Sequence, residues 1–257
     1  MSVFLRRLHS TVGLKYLMAG SGVVLVGFVC GHLLGNLQFF LPPRAINRYA
    51  HFLQSNLELL WLVRLTLLAL VVIHIWTALR LWALNRAARP TPYAAPTPPY
   101  GASLASRTML LSGLMVGAFV VYHLLHYTVK VEALNGTPVA FHQLREPATG
   151  HPDVFAMMVA GFQVWPVSLF YAVGIVLLCL HLSHGVAAMF QSLGLRNPAY
   201  APLIQKLARV LAVALLVGYL SIPAAVLLGR GEAYLQEVVE HSAARLAGAP
   251  TSPPTPQ

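Results

Sequence analysis

Five stretches of this chain are apolar enough to belong inside hydrocarbon: Tyr16 to Phe40, Leu57 to Leu84, Thr108 to Val129, Val164 to Phe190 and Leu207 to Leu228. A bilayer core of roughly 30 Å takes about 20 helical residues to cross, and each stretch reaches that length. Within hydrocarbon a segment must satisfy its own backbone polar groups, so helix is the expected conformation of all five. With 57% hydrophobic and 9% charged residues, the chain has too little polar surface to coat a soluble domain of 257 residues. The expected fold is an all-α membrane protein of five transmembrane helices, with a membrane domain over 1–230 and an extracytoplasmic tail over 231–257. The start MSVFLRRLHSTVGLKY is basic, but the apolar run behind it is too long for a signal-peptide core and lacks a clear cleavage site. It therefore reads as the flank of the first span.

Orientation follows from charge. Arg6, Arg7 and Lys15 precede span one; Arg80, Arg86, Arg89 and Arg107 flank the second connection; Arg196, Lys206 and Arg209 lie around the fourth. None of these regions contains Asp or Glu. The acidic residues, Glu58, Glu132, Glu146, Asp153, Glu232, Glu237 and Glu240, all fall on the opposite side. The excess of basic residues on cytoplasmic loops places the N-terminus in the cytoplasm and the C-terminus outside. A net charge of +10 thus reflects topology rather than affinity for nucleic acid. The connection ALNRAARPTPYAAPTPPYGASLASR is proline-rich and basic, able to meet a partner surface or to serve as a plain solvated linker. The outer loop from Lys130 to Gln163 is long enough to act as a lid, and the ending GAPTSPPTPQ has the composition of a disordered segment.

Against this apolar background, His32, His74, His123 and His181 stand one each in the first four spans. An imidazole at that depth is costly and calls for a partner. Spans one and three run outward, and at about 1.5 Å per residue His32 and His123 reach similar depths in the outer half. Spans two and four run inward; His74 lies shortly before Arg80, and His181 falls in the cytoplasmic third of its span. Two facing pairs result, His32 with His123 and His74 with His181. Neutral imidazole is a good iron ligand, and a haem between helices removes the cost of an unpaired nitrogen. The bland alternative, each histidine bonded to a neighbouring helix, explains any one of them but not four matched in depth. The reading is a bundle whose first four helices bind two haems.

Cys30 and Cys179 both lie inside spans, and no CxxCH motif is present, so any haem is b-type. The two cysteines themselves read as small packing residues. Gly27, Gly31, Gly35, Gly113 and Gly117 remove bulk near the outer histidines, as ordinary helix packing in membranes also does. His126 and His184 each follow a proposed ligand by three residues and share its helical face, so either member of each doublet can ligate. There is no glycine loop for phosphate and no Ser/His/Asp set. Substrate chemistry beyond electron transfer is not expected of this chain alone.

The segments HSTVGLKYLMAGSG, GHLLGNLQFF, INRYAHFLQSN, HIWTALRLW, YHLLHYT and HLSHGVAAMFQSLGL occur in this order over nearly the whole chain. They resemble the cytochrome b558 membrane-anchor subunit of bacterial succinate dehydrogenase and fumarate reductase, the five-helix di-haem type. The resemblance implies that His32 and His123 ligate one haem b, and His74 and His181 the other. It also selects the first histidine of HLSHG, whose distance to Gly185 matches the family pattern. It implies an FAD-containing flavoprotein subunit and an iron-sulfur subunit on the cytoplasmic face, and a quinone, commonly menaquinone, exchanging electrons in the membrane. Some fumarate reductases of this type carry a glutamate two residues before the fourth ligand. Here that place is Cys179, so a proton path through such a carboxylate is not expected.

Around the outer ends of spans one and two, Asn36, Gln38, Asn47, Tyr49, His51 and Arg64 offer groups for a quinone or for haem propionates. Interfacial anchoring, and snorkelling in the case of Arg64, account for them equally well. Two rival functions remain. A haem-free scaffold or transporter is disfavoured by the lack of Asp or Glu deep in a span. A di-haem cytochrome of another quinone-linked dehydrogenase is disfavoured by the resemblance.

Overall fold

The computed structural model describes residues 10–88 and 107–247. Arg6, Arg7 and Arg89, most of the proline-rich connection and the ending GAPTSPPTPQ lie outside the described residues. The described chain is all-α. Its helices are α1 (Thr11–Asn36), α2 (Pro43–Ser55), α3 (Leu57–Ala87), α4 (Met109–His123), α5 (Val154–Phe162), α6 (Trp165–Ser192), α7 (Ala201–Leu227) and α8 (Glu232–Leu246). A 3-10 turn, Leu37–Phe40, prolongs α1, and a π turn, Leu124–Val129, prolongs α4. With these extensions α1, α3, α4, α6 and α7 are long and apolar enough to cross a membrane. The architecture is that of a multi-pass membrane protein.

Caps set the helix ends where hydropathy leaves them vague. The first helix starts at Thr11, ahead of the apolar run from Tyr16, because the Ser10 hydroxyl accepts from the Gly13 N–H at 3.1 Å. The Asn56 side-chain oxygen Oδ1 does the same for the Leu59 N–H at the start of α3. At the other end of α6, Gly194 is left-handed (φ 74°) and the Leu195 N–H returns to the Phe190 carbonyl.

The helices fall into two compact units. One is drawn from the described residues of Met1–Gly31, Trp61–Gly117 and Val176–Leu216, and the other from those of His32–Leu60, Ala118–Ile175 and Val217–Gln257.

The second unit contains three helices that hydropathy does not announce. Of these, α5 is buried almost throughout and lies against both α2 and α8. Phe155 of α5 stacks on Phe39 with ring centroids 4.8 Å apart and meets Tyr234 of α8 edge-on at 5.4 Å. Arg230 donates to the carbonyls of Phe39 and Phe40, satisfying groups that the end of the 3-10 turn leaves open. Part of the long loop after Lys130 and part of the tail after Gly231 are thus ordered elements of one small core.

Asp153 caps α5, accepting from the Ala156 N–H at 2.8 Å and from the Tyr234 hydroxyl at 2.6 Å. Burial of the carboxyl outweighs these donors and raises its pKa above the ordinary 3.8. A carboxyl with a raised folded-state pKa holds its proton more tightly when folded, so its contribution to stability is greatest below 3.8 and falls as pH rises through the raised value. The expected result is a wild-type melting temperature in detergent that declines over this interval relative to Asp153→Asn. Parallel profiles for the two proteins would refute it.

Candidate functional site

In the first unit, His74 of α3 and His181 of α6 face each other with ring centroids 6.5 Å apart and planes at 70°. Each ring is held from behind by a serine on another helix. The Ser21 hydroxyl of α1 lies 3.1 Å from His74 Nδ1, and the Ser112 hydroxyl of α4 lies 3.3 Å from His181 Nδ1. Both hydroxyl protons are already directed to backbone, Ser21 toward the carbonyls of Leu17 and Met18 and Ser112 toward that of Met109. A serine whose proton goes to its backbone carbonyl has its oxygen left to accept, and an imidazole that donates to it carries its proton on Nδ1. Nε2 is then left with its lone pair. A metal-ligating histidine needs this tautomer, and outer hydrogen bonds commonly fix it.

Glycines beside the serines bring the helices close to the rings. A Cβ on Gly22 would lie 3.5 Å from His74 Cε1, an ordinary contact, whereas one on Gly113 would lie 3.2 Å from His181 Cε1. Gly22→Ala is expected to keep full haem content, while Gly113→Ala displaces the His181 ring and shifts the low-spin signal of that site in electron paramagnetic resonance. Identical spectra for the two variants would remove the role given to Gly113.

In the second unit, His32 of α1 and His123 at the end of α4 have ring centroids 5.8 Å apart and planes at 79°. His123 Nδ1 lies 3.4 Å from the hydroxyl of Tyr171 on α6, and Tyr219 of α7 sits 6.4 Å from His32, centroid to centroid. The fifth span also reaches α1 through Gly218, where a Cβ would come 2.7 Å from Leu33 Cδ2.

Metal–nitrogen bonds of about 2.0 Å and a ring radius of roughly 1.1 Å put two imidazoles on opposite sides of one iron about 6.3 Å apart between centroids. The observed 5.8 and 6.5 Å bracket this value. Edge-to-face aromatic contacts span the same range, so spacing alone does not mark a metal pair. The serine hydroxyls at Nδ1 supply the further support. No group of three or more His, Cys, Asp or Glu that could hold a metal ion occurs among the described residues. A bis-histidine haem site needs only two side chains because the macrocycle supplies the other bonds, and on these grounds the residues fit such a group.

The neighbouring histidines are arranged differently. His126 falls within the π turn, whose wider step takes it off the regular α-helical spacing from His123. It is fully buried against Tyr122, Tyr127, Phe141 and Tyr171. His184 is half-buried one turn beyond His181. The rings that meet His32 and His74 within these pairs are those of His123 and His181.

Of the residues expected near a quinone, Asn36 and Gln38 are half-buried at the end of α1 and in the 3-10 turn. Tyr49 is exposed on α2 with its ring against Gly35, where a Cβ would come 2.8 Å from Tyr49 Cε1. His51 is exposed and stacked on His151 at 3.9 Å. Asn47 is buried and its side-chain carbonyl accepts from the N–H groups of Val154 and Phe155, so it serves the start of α5. Arg64 belongs to the other unit; it is exposed, with its guanidinium 5.4 Å from the Trp61 ring centroid. Cys30 and Cys179 are free thiols, and Cys179 is buried.

Sequence reasoning missed Ser21, Ser112 and Tyr171. A signal for the serines exists: Ser21-Gly22 precedes His32 by eleven residues, and Ser112-Gly113 precedes His123 by the same number. Eleven residues make about three helical turns and return to one face. Compared with protein-family models, with curated proteins and with solved structures, the chain matches none.

Proposed function

We propose that this chain is the di-haem cytochrome b membrane anchor of a succinate:quinone oxidoreductase, relaying electrons between cytoplasmic flavoprotein and iron-sulfur subunits and a membrane quinone such as menaquinone. The observation that carries the reading is the recurrence of one arrangement, two facing imidazoles from alternate spans, with the hydroxyls of Ser21 and Ser112 at the Nδ1 atoms of one pair. His32 with His123 would hold one haem b, and His74 with His181 the other. When bound, haem supplies reversible one-electron exchange at iron inside a low-dielectric span.

The residues of the chain do the positioning. The serines direct each Nε2 lone pair toward coordination, and Gly113 lets α4 approach the His181 ring. Asn36, Gln38, Tyr49, His51 and Arg64 are the candidates to orient a quinone or receive propionates; Tyr49, His51 and Arg64 are exposed. With Cys179 buried where a carboxylate would be needed, the chain offers no acidic proton carrier at that point of α6. The charge distribution supports a cytoplasmic N-terminus in a bacterial inner membrane, with the partner subunits on the basic face.

Purification under mild detergent tests the assignment. Flavin and iron-sulfur subunits are expected to copurify, with succinate reducing a b-type absorbance. A haem-loaded chain that copurifies instead with hydrogenase or formate dehydrogenase subunits would transfer the function to another quinone-linked enzyme.

A further inference from the structure

Tyr171 is buried on α6, and its hydroxyl lies between two imidazoles, 3.4 Å from His123 Nδ1 and 3.0 Å from His126 Nδ1. A phenol has one proton to donate, so it donates to one ring and accepts from the other. If His123 accepted, its own proton would sit on Nε2, the nitrogen that coordination requires bare. The opposite order is consistent with a ligand: His123 Nδ1–H donates to the Tyr171 oxygen, and the Tyr171 O–H donates to His126 Nδ1. The proton of His126 then sits on Nε2, which is buried and has no hydrogen-bond partner among the described residues. In this arrangement His126 is the acceptor behind the Tyr171 hydroxyl.

We propose that Tyr171 is the positioning residue of the His32–His123 pair, its phenol oxygen holding the His123 tautomer with His126 as the acceptor behind it. The inference rests on the di-haem reading above. It gives that pair a support different in kind from the paired serines at His74 and His181. An Nδ1–H that donates a hydrogen bond makes Nε2 a stronger donor to the metal, which favours the ferric state and lowers the reduction potential.

Tyr171→Phe keeps the ring that contacts Phe119, Tyr127 and Phe162 and removes only the oxygen. In a potentiometric titration of the haem spectrum of the purified complex, wild type is expected to show two steps. The variant is expected to raise the step that is missing in His123→Ala by a threefold to tenfold change in the reduction equilibrium, up to about 59 mV for one electron, and to leave the other step in place. His126→Leu is expected to retain both haems and to raise the same step by less. Two haems with neither step moved in Tyr171→Phe, or loss of a haem in His126→Leu, would overturn the proposal while leaving the di-haem reading intact. A wild-type complex without haem would remove both. If Tyr171→Phe does not fold, an unchanged titration of His126→Leu overturns the proposal by itself.

Discussion

Replacing His74 by alanine is expected to halve the haem bound per chain, and replacing His74 and His32 together is expected to abolish it. His74 and His181 form one facing pair in the first unit, and His32 and His123 form the other in the second. Each single substitution removes one side of one pair, so the effects should be all-or-none per site and independent between sites. His126→Ala and His184→Ala are expected to keep both haems, because in these pairs the rings meeting His32 and His74 belong to His123 and His181. Haem counts on detergent-purified variants read this directly. Two six-coordinate haems surviving in His74→Ala would contradict the pairing.

Removing the serines is the second large effect. Ser21→Ala and Ser112→Ala each delete the acceptor for one Nδ1 proton on opposite sides of the same pair. Outer hydrogen-bond partners of this kind typically change metal affinity by about 10–100-fold, and the two changes should be non-additive because they act through one site. Haem loss to excess apomyoglobin measures the rate for each site. The His74–His181 site is expected to lose haem about 10–100-fold faster in either variant, with the other site unchanged. Ser183, whose hydroxyl donates to the Leu180 carbonyl, provides a control on the same helix as His181. Equal loss rates in Ser21→Ala, Ser112→Ala and Ser183→Ala would show that the serines do not support the pair.

The sequence made the membrane architecture legible because hydropathy over 20 or more residues is a strong, additive signal. All five expected spans are helices; the first begins earlier, at Thr11 behind the Ser10 cap, the second and fourth run on to Ala87 and Ser192, and the fifth begins earlier, at Ala201. The pairing of histidines was legible for a related reason: alternating direction turns residue number into depth. The short helices were harder to see. Asp153 and Asn47 start α5 from positions 106 residues apart in the chain, a tertiary arrangement that no local pattern contains. In α8, Leu235, Val238 and Ser242 bury one face at helical spacing, a pattern overshadowed by the proline-rich ending that follows.

The supporting groups of the site were the least legible part. A serine within an apolar span usually bonds back to its own helix, and Ser21 and Ser112 do so as well. Only the structure shows the second contact of each to an imidazole. His126, within the π turn after His123, is likewise known only from the structure to be buried at the Tyr171 hydroxyl that also meets His123.

On the proposed function this chain carries two b-type haems on four histidines. This is tested most directly by the pyridine haemochrome content of the purified full-length chain with its partners, together with a reduced-minus-oxidised spectrum. Two protohaems per chain are expected, both low-spin. A well-folded preparation with no b-type absorbance, or with a single haem that survives substitution of either pair, would contradict it.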